Sequence, residues 1–544
     1  MDLSKDELQA FNPRDPLYRG KFWVRVVTPD YVFRHVFWGR IALAVLALTV
    51  SGWLAAAAGA WTFVKYQRGF TDVSYVDLAL YPWRADHYRT AIGQHYLALG
   101  RVELEKRNYR AGYSLLVAGL ARVPDDVDAR RLVAFTEIRL GLAHRALQTL
   151  TTGAKLAAGD LESLRLLFGL LLEAQEDDRV IALAAQLLPA QPDAVLAHQF
   201  TALQAATAHF NRGRYDEAER LVARWHLENS LEGVILLAQC DWERGFPPLA
   251  LARLEGALAR FPARDELYLH LIRFHRELGH LAEARRYALL RHLHDPASPG
   301  PRLDLLHTYH ATDDRAAEAR ELATYLADFK ANPQALVLLA WFAVDTVQPG
   351  LAHEVHDLAA AQGFPLNAFN LARVQATLAA ADYRGALSLA DVALREENEN
   401  NDTFAPTLNG LRALALFGAK DTSRAEVTLG SYLSQARPRP GDALLLAKQL
   451  RLLGASDSAR AVLDRACNLD PLNQAALAEL IRLDAESGNR EKLAEHLPKF
   501  LQLRKPSRAV LEETLLRLDR PADAPLRDQI RAALARVTAT PAPG

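Results

Sequence analysis

In the stretch Gly213-Arg-Tyr215-Asp-Glu-Ala218-Glu-Arg-Leu221-Val222 the apolar positions fall three and four residues apart, which places them on one face of a helix. Gly213 in front of them closes a preceding helix, because a residue without Cβ turns the chain at little steric cost. Tyr215 is placed to fill the corner, and Ala218 is small enough for two helices to lie close. The arrangement repeats at a fixed period. Gly245, Ala250 and Pro262 stand 34 positions before Gly279, Ala284 and Pro296, and Leu446, Gly454 and Leu463 stand 34 before Leu480, Gly488 and Leu497. One stretch departs from all this. From Ile41 to Val64 the chain is apolar without a single charge, and about 20 such residues suffice for a helix to cross a bilayer.

With its period and its turn and corner residues, the chain resembles the tetratricopeptide repeat family over roughly residues 90–505. The resemblance implies an all-α fold, a right-handed superhelical α-solenoid of about 10–12 helical hairpins. It also implies a concave groove suited to peptides, helices or domain edges of partner proteins. Together with the apolar stretch, this describes a membrane-anchored member of the family.

The chain divides into an N-terminal segment (1–36), a transmembrane helix (37–66), a connector (67–90) and a regular array (91–333). A degenerate stretch (334–440), further regular units (441–505), capping helices (506–537) and a disordered tail (538–544) follow. In the degenerate part Gln348-Pro349-Gly350 is expected to replace one turn, and Arg395 to Asp402 to lengthen another. Arg437-Pro-Arg-Pro-Gly441 is expected to break or bend the array.

Around the apolar run, Phe37 and Trp38 on one side and Trp61, Phe63 and Tyr66 on the other suit interfacial aromatic belts. Some 40 residues precede it, so a retained anchor fits better than a cleaved signal. Lys21, Arg25, Arg34 and Arg40 before it, against Lys65, Arg68, Arg84 and Arg89 after it, leave little positive-inside bias. The expected topology is a single pass through the inner (cytoplasmic) membrane, with the N-terminus in the cytoplasm and the array outside it. The aromatic and cationic residues between Lys21 and Trp38 are expected to lie among headgroups. Within the anchor Gly52, Ala56 and Ala60, with Gly59 on a second stripe, recur at spacings that let two membrane helices approach, which points to a homodimer.

A net charge of −1 over 544 residues gives no reason to expect nucleic acid as a partner. Cys240 and Cys467 fall on units far apart, beyond the reach of a disulfide, and form no metal-type pair. Phosphate loops, dinucleotide fingerprints and nucleophile elbows are missing from the chain. No enzymatic activity, cofactor or metal is therefore expected. His353 and His356 are three apart with no third ligand in view, and in the His-rich stretch between His270 and His310 His275 holds a packing position while His280 and His294 fall at turns.

In the family, positions 2, 5, 9 and 12 of each unit's first helix face the groove. The resemblance carries positions 9 and 12 onto Gln239 and Trp242, Arg273 and Arg276, and His307 and His310, with Trp341 at the ninth position of the next unit. A groove of this composition would hold a carboxylate or an acidic peptide while stacking an apolar group. The expected role is a scaffold or adaptor gathering proteins in a bacterial envelope complex for secretion, polysaccharide export or envelope biogenesis. The alternatives are a permanent structural subunit of a larger membrane complex and, with least support, an enzyme or metal-binding protein using the central histidines.

Overall fold

The computed structural model describes residues 19–27, 32–400, 404–434, 440–504 and 506–537. The first 18 residues of the N-terminal segment, the expected tail at 538–544, the end of the Arg395–Asp402 run and most of the Arg437–Gly441 run lie outside them. The chain forms two compact units, one ending at Leu167 and the other beginning at Phe168.

The first unit opens with something the sequence did not suggest. Trp23–Val27 and Val32–Val36 pair as an antiparallel β-hairpin, with Arg25 opposite Arg34. The alternating aromatic and β-branched residues suit a pleated strand better than a helix. The apolar helix follows as Trp38–Thr62 with a π-turn at Phe63–Gln67. Within Trp38–Gln67 an 18-residue window reaches a mean hydropathy of 2.1, and 6% of that window is buried, so the helix is long and apolar enough to cross a membrane.

The connector folds back along the second half of this helix. The Trp53 indole N–H donates to the Ala79 carbonyl at 2.6 Å, and that of Trp61 to Val73 at 3.1 Å. The Tyr75 hydroxyl donates to the Leu54 carbonyl at 3.1 Å. A short helix, Tyr75–Ala79, is capped by Ser74, whose hydroxyl and backbone N–H donate to the Asp77 carboxylate. Arg84 and His87 also reach Asp77, at 3.2 and 3.0 Å. Burial raises the Asp77 carboxyl, but the Ser74 hydrogen bonds and these two cations outweigh it and hold the group below its ordinary range. Tyr81–Glu105 and Tyr109–Leu120 form the first helical hairpin, Val127–Arg139 and Ala143–Thr152 the second.

The second unit is a solenoid of tetratricopeptide-like hairpins. Nine run from Leu196–Asn211 with Tyr215–Arg224 to Gln474–Ser487 with Arg490–Gln502, and Arg508–Leu516 with Ala524–Val537 close the array. Each turn pivots on one left-handed residue. Gly245, Gly279, Asp313, Val347 and Ala381 follow one another at intervals of 34, with φ of +85, +74, +55, +55 and +59°. The 34-residue register therefore runs on into the stretch whose sequence looks degenerate as far as Ala381, and the next pivot, Lys420, stands 39 positions further on. Its turn residue is Val347, not the Gln348–Gly350 run. Pro349 instead starts the next helix, Pro349–Ala361, where a missing N–H costs nothing. The lengthening after Tyr383 is taken up as helix as far as Asn400. The core is a ribbon between successive hairpins: Ala238, Leu254, Leu271, Phe274 and Ala288 belong to one buried cluster drawn from neighbouring hairpins.

Candidate partner-binding groove

The helix Asp265–Glu277 has a buried side (Leu267, Tyr268, Leu271, Ile272, Phe274 and His275), which fixes the opposite side outward. On that side Glu266, Leu269, Arg273 and Arg276 lie at helical spacing, and with His270, Ile272, Glu277 and Asp304 they line an open cleft of about 790 Å³. Arg273 and Arg276, both expected in the groove, are both here. Leu269, 43% exposed, supplies an apolar floor.

The charges in the cleft are not equivalent. Arg273 lies 3.7 Å from Glu277 and sits over the Phe274 ring. Asp304 is bound by Arg291, which also makes two bonds to Asp265, at 2.6 and 2.8 Å. Burial raises the Asp304 carboxyl above its usual range against the pull of Arg291 and Arg276. Arg276 has no hydrogen bond or ion pair among the described residues, and it is exposed. It is the cation of the cleft whose donors remain open to a ligand.

The other expected groove residues are placed differently. Trp242 stacks flat on Phe274, centroids 3.8 Å apart and 5° from parallel, and joins the packing between hairpins. Gln239 is half-buried one turn before it. His307 meets the Phe342 edge at 4.8 Å, and burial, with Arg276 and His310 nearby, lowers its ring to about 4. His310 turns away from the cleft into a polar knot: Glu318 lies 3.1 Å from its Nδ1, and Arg315 and Gln348 lie 3.3 Å from it. Trp341 packs against the apolar cluster of the next hairpins. His275 is buried and stacked on Tyr287, with no hydrogen-bond partner for either ring nitrogen among the described residues, and burial lowers its pKa.

Glu266 and Leu269 could have been found from the sequence, since they are positions 2 and 5 of the same helix. Asp304 comes from the first helix of the following hairpin, Pro299–Ala311, and only packing reveals it. In the first unit the small-residue stripe is divided. Ala56 and Ala60 face a cleft of about 370 Å³ shared with Trp53, Leu78, Tyr81 and Tyr88, whereas a Cβ on Gly52 or Gly59 would meet open space.

No family model matches the chain, and no curated protein matches it. Among solved structures it is similar to Naa15/Naa10 bound to HypK-THB, at 14% identity and a TM-score of 0.30 over 90% of this chain and 75% of the other. It is similar to the APC/C hetero-tetramer Cut9–Hcn1 at 12% identity and a TM-score of 0.25, over 82% and 96%. Yeast Tom70 matches at 12% identity and a TM-score of 0.30, over 78% and 98%. At such values the likeness reaches no further than helical repeats, and the hairpins with their 34-residue register carry the description of the fold by themselves.

Proposed function

We propose that this protein is a membrane-anchored scaffold that holds partner proteins at a bacterial-type envelope, capturing an acidic segment in the cleft around Arg276. One observation carries the reading: Arg276 stands exposed and, among the described residues, unpaired beside the apolar Leu269, while the nearby carboxylate of Asp304 is already engaged by Arg291. An exposed guanidinium next to an apolar surface suits a carboxylate flanked by a hydrophobic group. The helix Trp38–Thr62, about 38 Å long at the helical rise, serves as the anchor, with the N-terminus in the cytoplasm and the array outside it. Its exposed Trp38 and Tyr66 sit at headgroup level. Gly52 and Gly59 form the free face through which two anchors would pair.

Fluorescence anisotropy with short peptides tests the cleft, comparing a free C-terminal carboxylate with its amide. The carboxylate peptide should bind more tightly, and more weakly as salt rises. Arg273→Glu combined with Arg276→Glu should cut its affinity by at least about tenfold, the equivalent of one charge-assisted bond. Equal binding of both peptides, or an indifferent double variant with native circular dichroism, removes the site. A reporter fused to the C-terminus tests the topology, and cytoplasmic reporter activity would reverse it.

A further inference from the structure

In a repeat array each hairpin touches only its neighbours, so an unpinned array flexes along its length. The second unit departs from this rule. Hairpins separated by some 300 residues of chain meet, and the bonds between them converge on one carboxylate. Asp177, fully buried, receives the Asn211 amide at 2.9 Å from its own side. From the far end of the array Arg504 reaches it with Nε at 3.2 Å and Nη2 at 3.3 Å, and the same Nη2 donates to the Leu172 carbonyl at 2.5 Å. Arg212 lies 3.5 Å from Asp177 and donates across the seam to the carbonyls of Gln502 and Leu503, at 2.7 and 2.9 Å. Gln175 donates to the Leu472 carbonyl at 2.9 Å.

These contacts are all made by charged or amide side chains. The apolar clusters on either side are separate, one built around Tyr215, Trp225 and Leu237, the other around Leu477, Phe500 and Ile530. A cleft of about 550 Å³ lies along the seam between Glu243 and the stretch containing Phe500, Ser507 and Arg508. A seam held by polar bonds over a gap is one that opens, since polar interfaces between parts of a chain permit relative motion and a shared apolar core does not.

We infer that Asp177, Arg212 and Arg504 form a polar clasp that joins the early and late hairpins of the second unit and holds its curvature fixed. The clasp joins the first of the nine hairpins, and the helix Asp177–Leu187 before it, to the ninth, and the cleft of Arg273 and Arg276 is on the third. A partner that prefers a different groove width therefore binds against the clasp, and by linkage releasing the clasp alters that partner's affinity. This coupling rests on the groove reading, whereas the clasp itself does not.

The test places spin labels on Glu173→Cys and Ala475→Cys in the full chain in detergent, with Cys240 and Cys467 replaced by alanine, and measures the distance between them. The expected result at low salt is one narrow, short distribution that broadens as salt is raised. Arg504→Glu should lower the ratio of short to long distances by about tenfold, the size of one lost charge-assisted bond. Asp177→Asn, which preserves shape, should lower it as well. A broad distribution in the unsubstituted clasp at low salt, or a distribution that neither variant changes, overturns the proposal. A chain that clasps as described but ignores carboxylate peptides leaves the clasp standing and removes the groove.

Discussion

Gly279 and Gly256 offer the same substitution with opposite expected outcomes. At both, an added Cβ would meet nothing within 4 Å, so steric packing drops out and only the backbone remains. Gly279 is the left-handed turn between Asp265–Glu277 and Leu281–His294, at φ +74°, whereas Gly256 sits within the helix Pro247–Leu258. For an alanine the left-handed conformation costs about 1–2 kcal/mol. Restricting the unfolded chain returns about 0.4–1 kcal/mol. Gly279→Ala should therefore destabilise its hairpin by about 1 kcal/mol. Gly256→Ala carries no such penalty and gains helix propensity, so it should stabilise by about 0.5–1 kcal/mol. Native-state hydrogen exchange of the amides in 247–294 reads both changes locally, without assuming that the whole array unfolds as one. If both variants shift the opening free energy in the same direction, the account of the turn register is refuted.

Three further outcomes follow from the packing. Trp225, 2% exposed among Tyr215, Val222 and Leu236, should cost about 3–5 kcal/mol when replaced by alanine, read from denaturant unfolding; a loss below about 1 kcal/mol would show the cluster to be loose. Gly119→Ala puts a Cβ 2.6 Å from Leu97 and 3.0 Å from the Gly93 carbonyl oxygen, and should cost about 1–3 kcal/mol through overpacking in the first hairpin, with an unchanged midpoint arguing against so close a crossing. His307, lowered to about 4 by burial, Arg276 and His310, stays neutral in the folded chain where it would be protonated in the unfolded one. Its contribution is therefore complete above the unfolded value of about 6.5 and is lost as pH falls from there toward 4. An NMR titration of its ring should show that low midpoint, and His307→Gln should flatten the acid side of the stability profile. A midpoint near 6.5 would mean the ring is solvated.

The turn register is legible in the amino-acid sequence. Gly213, Gly245, Gly279, Gly454 and Gly488 all have positive φ, and a local constraint of that kind needs only local residues to announce it. Val347 and Ala381 occupy the same position without announcing it, because packing on both sides holds the conformation against the preference of the side chain. The groove positions of the family, carried onto Asp265–Glu277, likewise pick out Arg273 and Arg276. Those positions say nothing of how near the next hairpin comes, and that distance is what consumes Trp242 against Phe274 and gives Asp304 to Arg291.

The first unit shows the same division. The length of Trp38–Thr62 could be read from composition alone, but the return of the connector onto Trp53 and Trp61 could not, since an indole gives no sign in the sequence of which carbonyl it will meet. The seam at Asp177 is the least legible feature of all. The sequence by itself determined the hairpins, their spacing and the apolar helix, because each rests on residues a few positions apart. Only the tertiary structure decided which cation is left without an ion pair among the described residues, which turn is strained and where two ends of the array meet, because those depend on small rotations that accumulate over many hairpins.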